Sequence, residues 1–146
     1  MAWEPSSHAI SLGGHPIQMP EGFSRLFTPE EADELLEEVR PLVSSLLAAR
    51  EQVVRLQPSL EPVLEKALGN GGGQAAGEAL NLLQHMRRTI EQINSHGILV
   101  KDLQLGLLDF PSEREGRVVF LCWRYGEPRV GHWHEIDSGY AARKPL

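Results

Sequence analysis

The 146-residue chain has a single cysteine, Cys122, so no internal disulfide can form and a reducing cytoplasm suits it. It has no apolar run near the ~20 residues that span a bilayer, and its first residues lack the basic-then-apolar order of a secretory signal. A membrane is therefore not an expected partner. Positive charge is also scarce. The net charge is −6, with Glu30, Glu31, Asp33, Glu34, Glu37 and Glu38 crowded into one stretch. That stretch repels phosphate backbones, so nucleic acid is not expected either. The same acids stand where a helix dipole favours them. Missing too are a serine elbow, a zinc-protease helix pair and a dinucleotide fingerprint. Gly69–Gly73 forms a glycine-rich run, but it follows a helix and lacks the Lys-Ser/Thr of a phosphate loop. It reads as a flexible connection.

What is present divides into three parts. Residues 1–22, rich in Gly, Pro, Ser and His, read as a flexible tail that Trp3, Ile10 or Ile17 can pin. Its His8 and His15 lack the fixed frame a metal site needs. Residues 23–146 read as one domain. A helix starts at Thr28-Pro29-Glu30-Glu31, where Thr28 caps, Pro29 occupies the first helical position and Glu31 completes a capping box.

From there Leu35, Val39, Leu42, Leu46, Ala49, Val53, Leu56, Leu60, Val63 and Ala67 recur at steps of four and three. This is the seam of a coiled coil or long helical hairpin. Pro41, Pro58 and Pro62 interrupt it, so a bend at Pro41 and a kink or break near Gln57 are expected, and the apolar register that survives there favours a bent continuation. A second helix, Gln74 to Ser95, carries Ala76, Ala79, Leu83, Met86, Ile90 and Ile93 on one stripe, and Gly97 stops it. The helical hairpin thus covers residues 28–96. Its longer arm overhangs, so either a sheet or a second copy of the chain has to cover that surface.

Residues 98–137 read as an antiparallel β-meander, followed by a C-terminal segment, 138–146. Ile98-Leu99-Val100 and Leu103–Phe110 read as extended, Pro111–Gly116 as a polar turn, and Val118–Trp123 as a strand buried on both faces. Tyr125–Pro128 reads as a second turn and Val130–Ile136 as a further strand. The fold class is α+β: a long antiparallel helical hairpin packed on a small antiparallel sheet.

Chemistry concentrates on that sheet. His132 and His134 are two apart, hence on one face of a strand, and can chelate a divalent metal with Cys122, Asp109, Glu127 or Glu135 as further ligands. Cys122 acting as a nucleophile needs His134 as base, oriented by Asp109 or Glu127. Against both stands the bland reading: a core cysteine, histidines bonded to backbone or carboxylate, and Asp109 holding backbone N–H groups. Arg124 and Arg143, beside His134, form a candidate anion-binding rim, unless they and Arg129 pair with Glu127, Glu135 and Asp137. Strand register decides which of these meet, and a one-residue slip reverses the face.

Several motifs occur in a fixed order: Phe27-Thr28-Pro29-Glu30-Glu31-Ala32, Val100-Lys101-Asp102, Gly106-Leu107-Leu108-Asp109-Phe110-Pro111, Leu121-Cys122-Trp123-Arg124, Gly126-Glu127-Pro128, Trp133-His134-Glu135, Gly139-Tyr140 and Arg143-Lys144-Pro145-Leu146. In this order the chain resembles domain-of-unknown-function family 2203, from Phe27 to Leu146. At position 132 it has His where the family pattern carries an aromatic, which weakens any family-wide metal site using His132. The resemblance implies a small prokaryotic cytoplasmic protein and brings no activity, cofactor or binding residue to carry over. The leading expectation is a non-catalytic, self-associating interaction or scaffold domain without a cofactor. The alternatives are a metal-assisted or Cys/His-dependent enzyme using Asp109, Cys122, Glu127 and His134, and a small-anion binding protein.

Overall fold

Thr28 and Glu31 begin the first helix by satisfying each other. Thr28 Oγ1 accepts the Glu31 N–H at 3.1 Å, and Glu31 Oε1 accepts the Thr28 N–H at 3.1 Å. This reciprocal cap is the one their spacing predicts. In the computed structural model, which describes residues 21–66 and 73–146, α1 runs Pro29–Lys66 and α2 runs Gln74–Ser95. Side chains are described in α1 up to Pro58. His8, His15, the other tail residues before 21 and most of the glycine-rich run lie outside the described residues.

Of the kink or break expected near Gln57, the break does not occur: α1 is helical through Pro41, Pro58 and Pro62, the continuation that the surviving apolar register favours. Pro41 and Pro58 are exposed. On that side water can hydrate the carbonyls that a proline leaves without an N–H partner. Gly97, at φ +87°, closes α2 as expected, its N–H donating to Asn94 O at 2.9 Å. One position of the predicted α2 stripe is misplaced. Leu83 is half exposed, while Ala79, Met86, Thr89 and Ile93 are buried. The stripe drifts across the helix because 3.6 residues per turn do not sustain a fixed alternation of steps.

After Gly97 the chain makes β1 (Leu99–Asp102), β2 (Leu107–Arg114), β3 (Arg117–Arg124), β4 (His132–Glu135), a short 3-10 turn at Tyr140–Ala142, and β5 (Lys144–Pro145). They form one antiparallel meander in the order β1-β2-β3-β4-β5. The α+β class is as expected, with more strands.

The largest correction is at Pro111–Gly116, expected to be a turn. Strand β2 continues through Pro111 to Arg114, and only Glu115 (φ 52°) and Gly116 (φ 79°) make the turn. Two positive φ values in a two-residue loop are the type I′ geometry that matches strand twist. Counting the alternation back from Arg114↔Arg117 puts Pro111↔Phe120 at a non-hydrogen-bonded pair. The ring therefore costs no ladder bond to β3. On the other edge, Pro111 O accepts the Phe27 N–H at 2.7 Å and Ser112 Oγ donates to Phe27 O.

The core lies on one face of this sheet. Leu108, Phe110, Leu121, Trp123 and Trp133 pack with Leu36, Val39, Val43, Leu46 and Ile93. The Asp33 carboxylate accepts the Val130 N–H at 2.7 Å, and Arg40 donates to Pro128 O at 3.1 Å. The N-terminal overhang of α1 is thus covered by the sheet itself. Among the described residues, no α-helix packs on the opposite face, and that is where the polar residues collect.

Candidate functional site

Strand register sets the site. Asp109 pairs with Cys122, Cys122 with His132, and Phe120 with His134. Directly paired residues point to the same side of a sheet, and so do residues two apart along a strand. Asp109, Cys122, His132 and His134 therefore share the helix-free face. Phe23, 5.4 Å from the Phe120 ring, and the segment around Tyr140 border this face.

Asp109, Cys122 and His134 converge. They are buried, with exposures of 3%, 1% and 3%. His134 Nε2 lies 3.0 and 3.1 Å from the two Asp109 carboxylate oxygens, and Nδ1 lies 2.8 Å from the backbone oxygen of Glu135. That carbonyl can only accept, so Nδ1 carries a hydrogen. A neutral ring then turns its Nε2 lone pair toward a carboxylate, and two acceptors repel. A proton or a metal ion between them removes that repulsion. In the absence of a metal it is one proton shared by the pair.

Burial pushes the Asp109 carboxyl above its ordinary range, while the nearby His134 pulls it back. Burial likewise pushes the Cys122 thiol up to about 12; Asp109 adds to the rise and Arg143 opposes it. Cys122 is thus a thiol at neutral pH, a poor nucleophile without an added cation.

The trio faces a cavity of about 210 Å³ whose wall includes Lys101, Asp102, Ser138, Gly139 and Tyr140. Sequence reasoning did not mark Lys101 and Asp102 as site residues, because strict alternation places them on opposite faces. A β-bulge between Val100 and Asp102 breaks that alternation and brings both to the cavity. Nothing in the local sequence announces the bulge. Lys101 Nζ sits 4.6 Å above the Phe120 ring centroid.

Glu127, His132, Arg124 and Arg143 form a second group. Glu127 receives Arg143 through two bonds, 2.8 and 3.0 Å, and also accepts the Arg124 N–H at 2.7 Å. Burial disfavours the charge on Glu127, but Arg143 and the Arg124 N–H outweigh it and hold the carboxyl below its usual range. Arg124 Nη1 donates to the Tyr140 hydroxyl at 3.1 Å. His132 leans toward this group: its buried Nδ1 is 3.5 Å from Glu127 and has no hydrogen-bond partner. The predicted His132–His134 pair therefore divides between two clusters. The predicted Arg143–Glu127 pairing is present, whereas Glu135 pairs with Arg117.

Residues 25–146, which include every wall of the cavity, match the family described as uncharacterized conserved protein (DUF2203). The chain belongs to that family. No curated protein and no solved structure matches it. The DUF2203 match begins three residues before Thr28, so it takes in the cap of α1 together with the whole sheet.

Proposed function

We propose that this DUF2203 protein is a binding domain that takes a small polar ligand into the cavity on the helix-free face of its sheet. One observation carries the reading: a buried Asp109–His134 pair, beside Cys122, faces about 210 Å³ of space that no described residue fills. Buried ionisable pairs contribute little net stability. Perturbed groups in a cleft are candidates for binding or chemistry. A cytoplasmic location is part of this reading, supported by the chain's single cysteine, Cys122. Among the described residues, no helix is long and apolar enough to cross a membrane.

The test is a thermal-shift panel of inorganic phosphate, small carboxylates and divalent metals. A ligand at about 100 times its Kd adds about 2.7 kcal/mol of stability. For a chain of this size that raises Tm by roughly 5–10 °C. Gly139 lines the cavity, and a Cβ there meets nothing within 4 Å. Gly139→Leu should fold normally and lose the shift. A shift that survives this change, or none across the panel, counts against the reading.

Self-association is a second reading, supported by large apolar side chains exposed on the hairpin. Leu80 is 56% exposed, Leu83 51% and Val54 47%. Leu80 and Leu83 are one turn apart on α2, so they form a single patch. Light scattering should then give more than one chain per particle, and Leu83→Glu should reduce it to one. A monomer at every concentration removes this reading.

A further inference from the structure

We infer that Asp109, Cys122 and His134 form a site for a divalent transition metal, with an open coordination position facing the cavity. The inference rests on the cavity being a binding site and names what it binds first. Among the described residues, these three offer a carboxylate oxygen, a thiol sulfur and an imidazole nitrogen, all within 4.8 Å of one another. Around a tetrahedral ion with bonds of about 2.0–2.3 Å, ligand atoms lie roughly 3.3–3.7 Å apart. Asp109 and His134 are already at 3.0 Å. With all three atoms within 4.8 Å, the sulfur has to move by at most roughly 1.5 Å to reach that spacing.

The histidine is set up for this role. Its Nδ1–H is fixed on Glu135 O at 2.8 Å, which orients the ring and leaves Nε2 as the ligating atom. Metal-binding histidines usually have an outer hydrogen bond of this kind. An ion placed between Nε2 and the carboxylate takes the place of the proton that the pair otherwise shares.

Charge agrees with burial. A dication, one carboxylate, one thiolate and a neutral imidazole sum to zero, which suits residues no more than 3% exposed. A thiolate with an imidazole selects zinc, cobalt or a similar ion over magnesium or calcium, which prefer oxygen alone. His132 does not join, since its Nδ1 is directed to Glu127. Three protein ligands with a fourth position toward open space is the arrangement of sites that exchange ligands, rather than of closed structural sites.

The test is cobalt titration of the full chain, stripped with a chelator and followed by visible and near-ultraviolet absorption. The expected result is one cobalt per chain, the intense visible bands of a four-coordinate ion, and a sulfur-to-cobalt charge-transfer band. Cys122→Ser should lose that band, and Asp109→Asn should weaken binding by at least ~10-fold. Pale six-coordinate bands without a sulfur band, as exposed histidines give, overturn the inference. So does a sulfur band that survives in Cys122→Ser. If Cys122→Ser fails to fold by circular dichroism, X-ray absorption of the cobalt-loaded wild-type chain must show one sulfur neighbour. Its absence overturns the inference equally. A phosphate or carboxylate shift without cobalt binding leaves the cavity reading standing and removes only the metal.

Discussion

Removing one member of the Asp109–His134 pair should cost far more stability than removing both. Each side chain is 4% exposed, and the two are joined at 3.0 Å. Taking away one partner of a buried ion pair leaves an uncompensated polar group and typically costs about 3–5 kcal/mol. Replacing both by apolar side chains of similar size is commonly neutral, or stabilising by about 1–4 kcal/mol. For a domain of this length, about 3–5 kcal/mol lowers Tm by roughly 6–20 °C. Asp109→Leu and His134→Phe should each show that fall in chelator-treated protein. The double variant should return to the wild-type midpoint or pass it. Urea unfolding of all four proteins, analysed as a double-mutant cycle, gives the coupling directly. A double variant as unstable as the sum of the singles refutes the reasoning, because the pair would then be holding the fold together rather than being carried for binding.

Gly106 has φ +70°, and a Cβ on it lies 2.8 Å from Tyr125 Cβ, with Leu47 and Val43 just beyond. Gly106→Ala should therefore lose about 2–4 kcal/mol in urea unfolding, from backbone strain and overpacking together. The depressed Glu127 carboxyl gives a stability contribution that is fully present above its unfolded value and lost as pH falls through its folded one. Glu127→Gln should cost about 2 kcal/mol at neutral pH, and the gap to wild type should close in acid; a gap independent of pH contradicts that assignment. Cys122, buried with its thiol pushed up to about 12, should resist alkylation in the native metal-free protein and react once unfolded. Rapid labelling of the folded chain would revive the nucleophile reading.

The helical part was legible because its rules are local. Thr28, Pro29 and Glu31 mark the start of α1, and Gly97 marks the end of α2 without reference to anything distant. Whether the prolines break α1 or let it continue was not legible, because exposure of Pro41 and Pro58 is a tertiary property. Leu83 was misplaced for a related reason, since helix periodicity gives a stripe but not its centre. The site residues could be named, as the sheet holds the chain's Cys and two of its His, but not grouped. Only register decides that His134 meets Asp109 while His132 meets Glu127. Register in turn depends on the Glu115-Gly116 turn between β2 and β3 and on the longer connection between β3 and β4, and the sequence advertises a turn six residues wide where two suffice.

Cobalt diffused into crystals and located by its anomalous scattering tests the central claim most directly. The account predicts one dominant peak about 2.0–2.3 Å from His134 Nε2, an Asp109 oxygen and Cys122 Sγ, with its remaining position toward the cavity. A dominant peak elsewhere, with Asp109 and His134 still sharing a proton and the cavity holding only water, contradicts it.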